Sequence, residues 1–151
     1  MSDEIVFDGI EIANERILPH PVEAVFDAFA DPKQMVQWWG PVGFTNELTA
    51  FDLRPGGAFH LTMRNSSDQA FDLVKTFRDV VRPTRVVLEQ HGPMHRFLMT
   101  MRFEPADGGT RLNWHMQFAT NDETTEIAPF IQAANEQNFD RLQAFLEETR
   151  P

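Results

Sequence analysis

The stretch from Asn121 to Glu148 decides what this chain can become, because it reads as one long amphipathic helix that needs something to lie against. Ile127, Ile131, Ala134, Leu142 and Phe145 recur in steps of three and four, with Phe130 and Leu146 flanking. At 100° per residue that spacing gives a single apolar stripe, and Asn138 falls inside it. The opposite face carries Glu126, Gln132, Glu136, Gln137, Asp140, Gln143 and Glu147, a solvated surface. Thr120-Asn121-Asp122-Glu123 supplies capping residues, and Pro129 is expected to open the main part of the helix after a short preliminary turn.

The residues before it are mostly strand-like. Ile5 to Leu18 carries Ile10, Ile12, Ile17 and Leu18 among polar neighbours and is broken by His20-Pro21. Pro21 suits a first helical turn, and Val22, Val25, Phe26 and Phe29 keep helical spacing through Ala30. Asp31 and Pro32 start a second short helix through Met35, Val36, Trp38 and Trp39, which Gly40-Pro41 ends. Phe44 to Leu53 is extended, and Arg54-Pro55-Gly56-Gly57 turns it into Ala58 to Arg64. Asn65-Ser66-Ser67-Asp68 is a further turn. Phe71 to Val81 and Arg85 to Gln90 follow, separated by Arg82-Pro83-Thr84 and ended by His91-Gly92-Pro93.

The last two strands alternate most cleanly. Phe97, Met99, Met101 and Phe103 face one way; Leu112, Trp114, Met116 and Phe118 do the same after the hairpin Asp107-Gly108-Gly109. The expectation is an α+β domain: a curved antiparallel sheet of six to seven strands wrapped around the C-terminal helix, with two short helices after the first strand. Residues 1–151 read as one domain with its core at about 12–148.

Composition narrows the functional classes. A formal charge of −10 repels nucleic acid and anionic membrane surfaces. The absence of Cys removes disulfides, thiolate metal sites and thiol nucleophiles. No apolar run is long enough for a membrane span or a signal peptide, so the expected location is the cytoplasm. His91 and His95 have the spacing of a metal pair, but Gly92-Pro93 makes the segment a loop, and solvent-facing histidines are expected there, as they are at His20, His60 and His115. No phosphate loop, nucleophile elbow or cofactor fingerprint is present, so neither a cofactor nor a metal is expected.

Trp38-Trp39-Gly40-Pro41, followed by Asp52-Leu53-Arg54-Pro55-Gly56-Gly57, resembles the START-like (SRPBCC, helix-grip) superfamily. The branch is the one named for the activator of the heat-shock-protein ATPase, in its small stand-alone bacterial form. Arg16, Pro21, Val25-Phe26-Asp27-Ala28-Phe29, the segment Val81 to Val87, Gly109-Thr110-Arg111-Leu112 and Asp140-Arg141-Leu142 match in order, so the resemblance spans about residues 12 to 148. Lys75 stands where a Gly is common, and Ala134-Asn135 where Gly-Trp is common. These motifs are architectural, so the resemblance implies the fold more than an activity.

A sheet gripping a helix can enclose a cavity. An empty apolar void of about 300 Å³ would cost about 7 kcal/mol, a large part of a typical domain's stability. Such a space is therefore wet, occupied, or filled by adaptable side chains, and Met63, Met99, Met101 and Met116 on the apolar strand faces are the residues best suited to re-pack around a guest. The reading is a domain that binds an apolar or amphipathic small molecule between sheet and helix, without need of chemistry. Strand parity and helix phase nominate Trp38, Phe59, Leu61, Met63, Met99, Met101, Trp114, Met116, Phe130, Ile131 and Asn138 as the lining. The resemblance adds a chaperone partner as a second reading, and the wider superfamily a cyclase- or hydrolase-like enzyme as a third. The acidic helix surface suits a monomer or a homodimer.

Overall fold

The computed structural model describes residues 6–92, 95–119 and 126–149. Seven strands, β1 (Glu11–Leu18), β2 (Thr45–Phe51), β3 (Ala58–Arg64), β4 (Ala70–Val81), β5 (Arg85–Gly92), β6 (Phe97–Ala106) and β7 (Gly109–Phe118), form one antiparallel sheet in the order β1-β7-β6-β5-β4-β3-β2. Helices α1 (Val22–Ala30) and α2 (Pro32–Trp38) follow β1, and α3 (Ala128–Glu148) closes the chain. This is the expected helix-grip arrangement, with the concave sheet face turned toward the helices. Among the described residues no helix is long and apolar enough to cross a membrane.

Local chemistry explains the joints. Asp31 Oδ1 accepts from the Lys33 amide at 3.0 Å, with Pro32 at the first helical position of α2. Gly56 adopts φ +84°, and a Cβ on Gly57 would lie 1.9 Å from the Asp52 carbonyl oxygen. The Gly56-Gly57 pair therefore serves two needs: left-handed backbone, then close approach of two chain segments. Between β2 and β3 the register shifts at Leu48/Ala50, leaving Thr49 outside the ladder with its hydroxyl donating to the His60 carbonyl.

Strand parity is as the alternation predicts. Phe59, Leu61 and Met63 are buried on β3, Phe97, Met99, Met101 and Phe103 on β6, and Leu112, Trp114, Met116 and Phe118 on β7. The first strand is shorter than the expected Ile5 to Leu18, although Gly9 and Ile10 still bond to Phe118. Residues 120–125, which include the proposed capping segment, lie outside the described residues. The described helix begins at Ala128 with Pro129 in its first turn.

The apolar face of α3 is rotated from the expected stripe. Asn138, Phe139, Leu142, Phe145 and Leu146 are buried, while Ile127, Ile131 and Ala134 are half-buried. Phe139, assigned to neither face from sequence, is fully buried with its ring 4.8 Å from that of Trp114. Phe130 is 74% exposed and does not line the interior. Ala128 and Ile131 of the same turn pack against the core, so Phe130 lies on the helix face turned away from it.

Two polar seams hold α3. Along β1, Asn14 Nδ2 donates to the Gln132 carbonyl and Glu136 Oε2, Asn14 Oδ1 accepts from Asn135, and Arg16 pairs with Asp140 at 2.7 Å and Glu136 at 3.1 Å. On the other side, Asn138 Oδ1 accepts from the Gly40 amide and its Nδ2 donates to the Trp38 carbonyl. Arg141 Nη1 reaches the carbonyls of Trp39, Gly40 and Pro41 at 3.0–3.1 Å. These are converging carbonyls of the corner just past the end of α2, and a cation is the natural partner for them.

Replacing Asn138 by Ala strands two buried backbone groups, so Asn138→Ala is expected to lower unfolding free energy by about 2–4 kcal/mol in urea denaturation. A second expectation separates the two turn glycines. Gly56→Ala, where a Cβ meets nothing within 4 Å, should cost only about 1–2 kcal/mol of left-handed strain, whereas Gly57→Ala must move backbone and should lower the melting midpoint much further.

Candidate functional site

The register of the sheet assembles one row of side chains across its concave face. Phe51 lies beside Phe59, Phe59 beside Lys75, Lys75 beside Gln90, Gln90 beside Phe97 and Phe97 beside Phe118. Four aromatic residues thus flank a polar pair. Lys75 is 3% exposed and Gln90 5% exposed. Gln90 spends its Nε2 on the His95 carbonyl at 2.9 Å.

Lys75 has no comparable outlet. Its Nζ sits 4.9 Å from the ring centroids of both Trp39 and Phe59, and among the described residues it makes no hydrogen bond or ion pair. Burial pulls the amine down to about 7, and no nearby carboxylate opposes this. Aromatic faces favour the cation without neutralising it. A second buried donor, Trp114 Nε1, also lacks a partner among the described residues, and the Trp114 ring lies 5.4 Å from that of Trp39.

Around these two donors the structure brings together most of the nominated lining. Trp38, Phe59, Leu61, Met63, Met99, Met101, Trp114 and Met116 are all buried on the concave side or under it. Met99 stands beside Met116 and Leu88, and Met101 beside Trp114 and Val86. Ile131 is half-buried above them. Asn138 is buried, but its amide is engaged by the corner after α2, a scaffold contact. Trp38 donates its Nε1 to the Ala28 carbonyl and packs as an apolar plug between helices and sheet.

Sequence reasoning passed over Lys75, Trp39 and Gln90 as site residues. The available signal was Lys75 on the parity of Leu73 and Phe77, a charge in a strand position that should be apolar.

The histidines need correction. His20 is 4% exposed, not solvent-facing: its carbonyl accepts from the Thr110 hydroxyl, and its Nε2 is buried without a partner among the described residues. His91 lies in β5, with Nε2 2.8 Å from Thr76 Oγ1 and Nδ1 3.2 Å from Glu89. Burial pushes the Glu89 carboxyl up, but its bonds to Arg78 and Arg96 outweigh this and hold it below the usual range. No trio of metal-ligating side chains gathers among the described residues.

A cleft of about 570 Å³ lies elsewhere, between the start of α1 and the end of α3, walled by Pro19, His20, Pro21, Asp27, Phe145 and Leu146 among others. None of the nominated residues borders it. Its amides are already used, Gln34 by Asp31 and Gln37 by the Lys33 carbonyl, which leaves His20 Nε2 as its buried polar atom without a partner among the described residues, with no aromatic or methionine lining from the sheet around it. The unpaired donors of the concave face, not this cleft, mark the stronger candidate site.

A curved antiparallel sheet gripping a C-terminal helix, with two short helices after its first strand, defines a START-like domain. The chain belongs to the family described as activator of Hsp90 ATPase homolog 1-like proteins, whose model matches residues 19–147. Among curated proteins none matches the sequence. Solved structures are similar over nearly the whole chain. A Rhodobacter sphaeroides protein is 17% identical, with a TM-score of 0.83 covering 97% of this chain and 99% of that one. A Nitrosomonas europaea protein is 20% identical, with a TM-score of 0.81 covering 92% and 95%. An Arthrobacter aurescens protein is 16% identical, with a TM-score of 0.82 covering 97% and 92%. At these identities the likeness concerns the fold.

The buried amine makes stability pH-dependent with a definite sign. Between about 7 and the ordinary value of 10.5, the unfolded chain binds a proton at Lys75 that the folded chain does not. Stability therefore rises with pH across that window, by up to about 1.4 kcal/mol per unit from this group. Urea denaturation at pH 7 and pH 9 should show this gain in wild type relative to Lys75→Met. Parallel changes in the two proteins would mean that Lys75 is solvated.

Proposed function

We propose that this domain binds an apolar or amphipathic small molecule between its sheet and α3. The observation that carries the reading is Lys75, an amine in a nearly dry aromatic interior without a protein partner. Leaving such a group unpaired costs more than a hydrogen bond contributes, so retaining it there argues for a use that folding alone does not supply. The methionines make room feasible. Met63, Met99, Met101 and Met116 are all buried on the concave side of the sheet, Met116 within 3.4 Å of Asn135 on α3, and each can change rotamer around a guest without leaving an apolar environment. A guest of this kind needs orientation and exclusion of water, and no bond need form or break.

Native mass spectrometry of protein purified without detergent tests the reading. A discrete extra mass should appear, should disappear after organic extraction and refolding, and should be missing from Met99→Trp, whose indole fills the space beside Met116. A bare protein mass in every sample, together with no mass gained when dodecanol is added to extracted wild type, sinks it.

A further inference from the structure

The hydrogen-bonding inventory of this interior specifies the chemistry of the guest's polar end, on the premise that the interior binds a guest at all. Asn46 Oδ1, a buried acceptor, is also unpaired among the described residues, but it stands on β2 opposite Met63, outside the row of Lys75. Two unpaired donors belong to the residues packed on Trp39: Lys75 Nζ lies 4.9 Å from its ring centroid, and the ring of Trp114, whose Nε1 has no partner among the described residues, lies 5.4 Å from it. What completes them is an acceptor. When protonated, Lys75 also brings one positive charge, which the rings of Trp39 and Phe59 favour but leave uncompensated, so an anionic group beside it holds the proton in place.

The neighbouring cations are committed elsewhere. Arg16 is held by Asp140 and Glu136, and Arg141 by the carbonyls of Gln37, Trp39, Gly40 and Pro41. A dianionic phosphate would therefore meet one cation and remain half-neutralised, whereas a carboxylate, with a single charge, matches the one ammonium. We propose that the guest is a monocarboxylate amphiphile, its carboxylate paired with Lys75 and its hydrocarbon part laid along the adjoining row of Leu88, Met99 and Met116. That row is continuous in register from Phe77, two residues along β4 from Lys75, through Leu88 and Met99 to Met116, whose Sδ lies 3.4 Å from Asn135 on α3.

The test uses tryptophan emission, since Trp38, Trp39 and Trp114 form one contact group around the site. Extracted full-length protein is titrated with dodecanoate and with dodecanol, probes of equal chain length that differ in the head group. Wild type should bind dodecanoate at least about tenfold more tightly, the size of a charge-assisted hydrogen bond. Lys75→Met should abolish that preference by weakening dodecanoate about tenfold or more while leaving dodecanol within about twofold.

Equal affinity for the two probes in wild type, or an unchanged dodecanoate affinity in Lys75→Met, overturns the carboxylate assignment while leaving an interior that binds apolar guests. Failure of both probes to shift wild-type emission overturns the assignment and the binding reading together.

Discussion

The structure depends on the grip that two residues of α3, Asn138 and Arg141, hold on the chain corner after α2. Trp38, Trp39 and Gly40 leave the helix with carbonyls and an amide that α2 is too short to satisfy. Asn138 takes one of each, and Arg141 spreads one guanidinium over the remaining carbonyls. The corner is thereby fixed against α3, and the two indoles are driven between helices and sheet. Gly40 is required at its centre: its φ is +94°, and a Cβ there would come within 2.5 Å of Met63 Cε. One polar contact thus sets the position of the apolar core, which would otherwise have many near-equivalent packings.

The interior follows from this placement. With Trp39 fixed, Phe29 and Phe59 pack on it and Phe51 and Phe77 pack on them, with Phe59 and Phe77 only 5.3 Å apart and nearly parallel. Lys75 is trapped in that aromatic wall because β4 places it between Phe59 and Gln90. Its strand parity permits no escape to solvent, for a one-residue slip would turn Leu73 and Phe77 outward as well. The same geometry that makes the core rigid therefore keeps a charge in it.

Much of the fold was legible from the chain. Alternation in β3, β6 and β7 is a two-residue period with one apolar face, and it gave strand identity and facing together; turn chemistry at Asp31-Pro32 and Gly56-Gly57 marked the joints. The phase of α3 was read less well. Phe139 sits one residue beyond Asn138, and the stripe drawn through Ile127 and Ile131 took no account of β1 claiming the helix's first half through Asn14 and Arg16. Of the candidate site, parity located the methionines and Trp114, but the group that distinguishes the interior is a lysine. Hydrophobic patterning treats a charge on a buried face as noise, although its desolvation makes it the most informative residue there. His20 was misplaced for a related reason: a residue beside a proline turn looks exposed until β7 covers it through Thr110.

The open sheet ends on two strands, β1 and β2, that have no further strand neighbour among the described residues. Each could in principle be extended by another chain's backbone, yet each is spoiled as a template. The shift at Thr49 interrupts the even spacing of donors and acceptors on β2, and Thr45, Glu47 and Thr49 face outward there. On β1 the outward positions include Glu11 and Glu15, and with a net charge of −10 two such edges repel each other on approach. A sheet built to stay open on both sides is thus protected from edge-to-edge polymerisation by an irregularity of one residue and a few carboxylates.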